Sequence, residues 1–277
     1  MGVARNGSVE LYFESFGSDD HPTLLLVSNL LGDCTFYEAS WCELFVTRGY
    51  QVVRFDLRDS GMSSRCDGVD YSLTDLAEDA AAVAAAVTDE PVHVLGHSLG
   101  GMIVQRLAVE HPDRLLSMTS VSSSTGESAY GRPSAARVEH LQALTENPPP
   151  DDRESAIRQA IDTARRFGSK PEWEDADEIR ALVGRVHDRS HNPAGLACRR
   201  AAAVNDPDRV EQLRALSVPT LVIHGSLDQN IGPDGGRRTA ELIPGARLEI
   251  IDGMAHRPPP AVWPTITDIW SSFTASL

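Results

Sequence analysis

Short apolar runs closed off by turn residues recur along the chain at 24–27, 51–55, 92–95, 115–121, 220–223 and 247–251. Runs of this length predict buried strands. Between them, 35–48, 73–87, 99–111, 235–243 and 260–273 carry helical spacing, the second rich in alanine. Ser72 and Asp75 open that alanine-rich helix, and His111 and Pro112 close the next one. Strands that alternate with helices need crossover connections, so the sheet they build is mostly parallel and covered on both faces.

The alternation stops over 127–217. No strand signal occurs there; the turn-rich ENPPPDD at 146–152 is followed by helical patterns at 153–167, 176–187 and 193–204. The pattern predicts an α/β fold with a doubly wound core formed by 1–126 and 218–277, and a helical cap inserted at 127–217. A chain of 277 residues is long enough to bury one such core.

Composition narrows the partners. A formal net charge of −15 repels a phosphate backbone and an anionic bilayer, so neither nucleic acid nor membrane is expected. The opening MGVARNGSVELYF holds no apolar stretch of signal-peptide length, which predicts a cytoplasmic protein. Cys34, Cys42, Cys66 and Cys198 form no CxxC pair and have no tight histidine spacing. They predict reduced thiols rather than a disulfide framework or a zinc site, so no metal or cofactor is expected. A monomer or homodimer suits these features.

The chemistry concentrates in GHSLGG, residues 96–101, between the strand-like VHVL and the helix-like MIVQRLAVEHP. A nucleophile on a sharp strand-to-helix turn needs small residues two positions to either side, which Gly96 and Gly100 supply. Ser98 is the candidate nucleophile. A serine hydroxyl attacks poorly without a base, and a base histidine needs a carboxylate to fix its tautomer. The residues around Ser98 resemble the α/β-hydrolase superfamily, whose acid follows a late strand and whose histidine follows the last; the resemblance implies Asp228, in HGSLDQN, as the acid and His256, in GMAH, as the base. Asp252 and Asp234 compete with Asp228 for the acid. His97 reads as packing or lining, and His224 as an ordinary hydrogen-bonded residue.

This arrangement resembles the α/β-hydrolase superfamily over essentially the whole chain, with its order of nucleophile, acid and histidine. The resemblance implies acyl-transfer chemistry with an oxyanion site made by two backbone N–H groups. One belongs to Leu99, after the nucleophile. The other belongs by position to Leu30, in the loop SNLLGD at 28–33. Ser28 and Asn29 stand where many members carry His-Gly, in a version similar to the 3-oxoadipate enol-lactonases. FDLRDSGMSS at 55–64 resembles a further stretch of the superfamily whose work is to pin loops near the site.

The C-terminal third also resembles the methyl esterases of anthracycline biosynthesis. The function implied is hydrolysis of a small-molecule carboxylic ester or lactone, with a largely apolar pocket under the cap. Lyase, cyclase or perhydrolase chemistry on the same scaffold, or a receptor-like binding role, are the alternatives.

Overall fold

The computed structural model describes residues 1–66 and 68–277. Its eight strands are β1 (Gly2–Asn6), β2 (Val9–Phe16), β3 (Thr23–Val27), β4 (Gln51–Phe55), β5 (Val92–His97), β6 (Leu115–Val121), β7 (Thr220–Gly225) and β8 (Arg247–Ile251). They form one sheet in the order β1-β2-β4-β3-β5-β6-β7-β8. The β1–β2 and β2–β4 pairs are antiparallel, and the rest of the sheet is parallel. Every residue of β3, β4, β5 and β7 is buried, as strands covered on both faces must be.

The period-2 alternation of the strands divides their side chains between two cores. Leu25, Val27, Val53, Phe55 and Val94 face α2 (Leu73–Val87) and α3 (Leu99–Glu110), where Leu76, Ala80, Ile103 and Leu107 meet them. Leu24, Leu26, Val52, Leu95 and Ile223 face the opposite way. There they pack with Trp41 and Phe45 of α1 (Ala39–Val46) and Ile266 and Trp270 of α10 (Trp263–Thr274). Trp41 and Trp263 stack with centroids 5.1 Å apart. The remaining core helix is α9 (Pro233–Leu242), between β7 and β8.

Helix ends follow local chemistry. Ser72 caps α2 by accepting from the Asp75 N–H, while the Asp75 carboxylate accepts from the Ser72 N–H, so two otherwise unpaired donors are satisfied. The helix expected over 35–48 is shorter: a 3-10 turn at Cys34–Phe36 precedes α1. Asp33 explains the offset, because its carboxylate accepts from the Thr35 N–H and hydroxyl and starts the turn there.

Five helices lie between β6 and β7: α4 (Ala135–Glu146), α5 (Arg153–Phe167), α6 (Ala176–Ser190), α7 (Pro193–Asn205) and α8 (Val210–Arg214). Charged contacts tie α6 to the sheet's loops. Arg189 makes a two-pronged pair with Asp56 at 2.8 Å on each prong and reaches Asp33 Oδ2 at 3.1 Å. Arg185 donates to Glu38 Oε1 at 2.9 Å. No helix among the described residues is long and apolar enough to cross a membrane.

Candidate active site

Ser98 alone joins β5 to α3, with φ 57° and ψ −113°. A non-glycine residue pays for a positive φ, so the turn persists only because its surroundings fix it. The Ser98 N–H donates to the Val121 carbonyl at 2.9 Å, and its own carbonyl accepts from Ser123 Oγ at 2.8 Å. A Cβ on Gly96 would lie 2.0 Å from the Gly100 carbonyl oxygen, and one on Gly100 would lie 2.1 Å from that of Val27. Neither position admits a larger residue without moving backbone. The elbow therefore depends on both glycines.

Three loops at the ends of the parallel strands bring the other groups to Ser98. His256 Nε2 lies 3.1 Å from Ser98 Oγ, and His256 Nδ1 lies 2.8 Å from Asp228 Oδ2. An acceptor carboxylate at Nδ1 puts the proton there, which leaves Nε2 free to accept from the serine. Asp228 Oδ1 accepts from the N–H groups of Asn230 and Ile231 at 2.8 and 2.9 Å. Burial alone would raise the Asp228 carboxyl, but the charge of His256 and the hydrogen bonds of His224 and His256 outweigh it and hold it well below the usual carboxylate range. It stays an anion.

The competing acids are elsewhere. Asp252 accepts from Lys170 Nζ at 2.9 Å and from Ser226 Oγ at 3.2 Å, and its side chain is exposed. Asp234 lies in the first turn of α9.

Two histidines read as bystanders in the sequence stand against this constellation. His224 is fully buried, with Nε2 at 2.9 Å from the Ile231 carbonyl and 3.3 Å from Asp228 Oδ2. It braces the acid from beneath. Its four-residue spacing from Asp228 was the available signal. His97 Nε2 is 2.7 Å from the His256 carbonyl oxygen, and its ring stacks on Phe36. Burial, then the neighbouring His256, push its pKa down to about 3, so it is a neutral donor.

On the other side of Ser98, the 28–33 loop closes around its own asparagine. Asn29 Oδ1 accepts from the N–H groups of Leu31 and Gly32 at 3.0 and 2.8 Å. Among the described residues no acceptor takes the N–H of Leu30 or of Leu99. Asp33, Cys34 and Asp56 come within 4.8 Å of one another, a spacing a cation could use. The Arg189 guanidinium already takes that place by bonding both carboxylates.

Residues 22–258 match the family described as alpha/beta hydrolase fold. The chain belongs to that family. This α/β hydrolase is 30% identical to a rhodomycin D methylesterase of Streptomyces sp. strain C5, over 92% of this chain and 91% of that one. It is 28% identical to the rhodomycin D methylesterase of Streptomyces peucetius, over 94% and 93%. Among solved structures, the enol-lactonase of Burkholderia xenovorans LB400 superposes with a TM-score of 0.78 at 21% identity, covering 99% of this chain and 100% of that one. At that identity the likeness speaks for the fold.

Proposed function

We propose that this α/β hydrolase cleaves a carboxylic ester or lactone of a small, largely apolar molecule through an acyl-enzyme on Ser98. The observation that carries the reading is the unbroken file Asp228 Oδ2, His256 Nδ1, His256 Nε2 and Ser98 Oγ, with steps of 2.8 and 3.1 Å on either side of the ring. Ser98 Oγ attacks the carbonyl carbon as its proton passes to His256 Nε2. The carbonyl π pair moves onto oxygen, where the N–H groups of Leu30 and Leu99 receive the charge. The tetrahedral species collapses, the bond to the leaving oxygen breaks, and that oxygen takes the proton from His256. Water then repeats the sequence on the acyl-enzyme and releases the acid. Asp228 stays ionised throughout and stabilises the imidazolium.

The segment 127–217 acts as the cap over this site and sets which acyl or alcohol groups enter. The names of the relatives make methyl esters the first class to try, with lactones second. The free cysteines, two of them buried, fit a reducing compartment such as the cytoplasm.

The test is a hydrolysis screen across methyl esters, lactones and short p-nitrophenyl esters, with peptide mapping of an organophosphonate adduct. Turnover with labelling of Ser98, both abolished in Ser98→Ala, is the expected result. A label on another residue would overturn the nucleophile.

A further inference from the structure

We infer that Arg199, on α7 of the inserted segment, is the positioning residue that sets the peptide geometry of Leu30 and so the aim of the oxyanion donor. The inference rests on the function proposed above. Arg199 is 3% exposed, and its guanidinium spends its donors on backbone carbonyls. Nε and Nη2 each lie 3.3 Å from the Leu30 oxygen, and Nη1 donates to Asp59 O at 2.6 Å and Arg58 O at 3.3 Å.

A cation taken out of water is costly and is ordinarily matched by a carboxylate. Burial pushes the Arg199 guanidinium below its ordinary range, with Tyr71, Asp59 and Cys198 offsetting only part of that. Anchoring the segment does not require this expense, because Arg185 with Glu38 and Arg189 with Asp56 and Asp33, each matched by a carboxylate, already do it. What Arg199 alone supplies is a planar fork on one carbonyl, which constrains direction as well as distance.

That carbonyl is in the right place to matter. Asn29 Oδ1 holds the N–H groups of Leu31 and Gly32, and Arg199 holds the oxygen of the same Leu30–Leu31 peptide. With that plane fixed on both edges, the adjoining peptide that carries the Leu30 N–H has little rotational freedom left. The other two carbonyls belong to the loop after β4, where Asp59 sits at φ 62° and also receives Asn192 Nδ2 at 3.2 Å. One side chain thus registers the oxyanion loop against a strained turn of the core.

The experiment compares wild type, Arg199→Gln, Arg199→Lys and the control Arg185→Ala on one carboxylic ester and on its thiono analogue, with C=S in place of C=O. Sulfur accepts hydrogen bonds weakly, so the ester-to-thionoester rate ratio reads the oxyanion contacts directly. Arg199→Gln should lose about 10- to 100-fold in kcat with KM little changed, as misaimed oxyanion donors cost. Its rate ratio should fall toward that of hydroxide-catalysed hydrolysis. Arg199→Lys, which keeps the charge without the fork, should recover a part, and it is read in the same way if Arg199→Gln does not fold. Arg185→Ala, which loosens the same segment, should keep the wild-type ratio. A rise in KM at constant kcat and ratio, or an equal fall of the ratio in Arg185→Ala, would overturn the inference. Absence of ester turnover in the wild type would instead strike the proposed function.

Discussion

The residue before the nucleophile holds the main chain of the base: His97 Nε2 donates to the His256 carbonyl oxygen across 2.7 Å, though the two are separated by 159 positions. The elbow and His256 are therefore linked twice, once from Ser98 through the reacting atoms at 3.1 Å and once from His97 through this backbone contact. His97→Leu should lower kcat about 10-fold and destabilise the fold by about 1–3 kcal/mol, because the His256 carbonyl loses its donor. His97→Gln, which can still donate, should recover most of both. Steady-state kinetics with thermal melts check the pair, and an inert His97→Leu would show that the contact is incidental.

Asp228→Asn should leave the fold intact but cost on the order of 10³- to 10⁴-fold in kcat, since the imidazole loses the partner that fixes its tautomer. Asp252→Asn should behave as wild type. If Asp252→Asn proves the crippled variant, the acid has been assigned to the wrong loop.

A third expectation concerns stability. His93 is buried against Ser117 Oγ at 2.7 Å, and burial brings its pKa from 6.5 down to about 4. It binds a proton more readily unfolded than folded, so its contribution is present above pH 6.5 and is lost as pH falls through about 4. That gap is worth about 3 kcal/mol. Equilibrium unfolding between pH 7 and 4 should show a shallower acid loss in His93→Asn than in wild type. Identical pH slopes would mean that His93 titrates elsewhere.

The inserted segment gives a fourth. Replacing 127–217 by a short linker should broaden chain-length preference among activated esters and drop kcat to the level of Arg199→Gln, because the linker lacks that guanidinium. Selectivity unchanged from wild type would show that the segment does not govern substrate choice.

β3 and β7 were legible because burial on both faces leaves the apolar runs of TLLLV and TLVI. β2 was not: VELYFESF is interrupted by Glu10 and Glu14 and buries only Leu11 fully, so no run stands out. α4 went unread for a related reason, since none of its residues is buried and no apolar stripe exists to find. At five residues, α8 is far shorter than the window of about 11 residues over which helical spacing can be read.

The elbow has local surroundings that its geometry dictates, and the resemblance to the superfamily's order of nucleophile, acid and histidine nominated the other two. His97 and Arg199 did not betray themselves. Their partners are main-chain carbonyls 159 and 169 positions away, and a carbonyl is the same at every residue. Only the folded path of the chain makes those oxygens particular.

The chain leaves the sheet at the end of β6 and re-enters at β7, and these two strands are hydrogen-bonded neighbours, with Val121 beside Ile223. An excursion that begins and ends at adjacent points can lengthen or shorten without straining the sheet, as each doubling of a loop costs only about 0.6 kcal/mol in closure entropy. Lineages or libraries that vary the length of this stretch are thus free to explore new substrates on an unaltered foundation. The freedom has its tethers: α6 holds its ion pairs to Glu38 and Asp56, and whatever replaces α7 inherits the task of reaching back to Leu30.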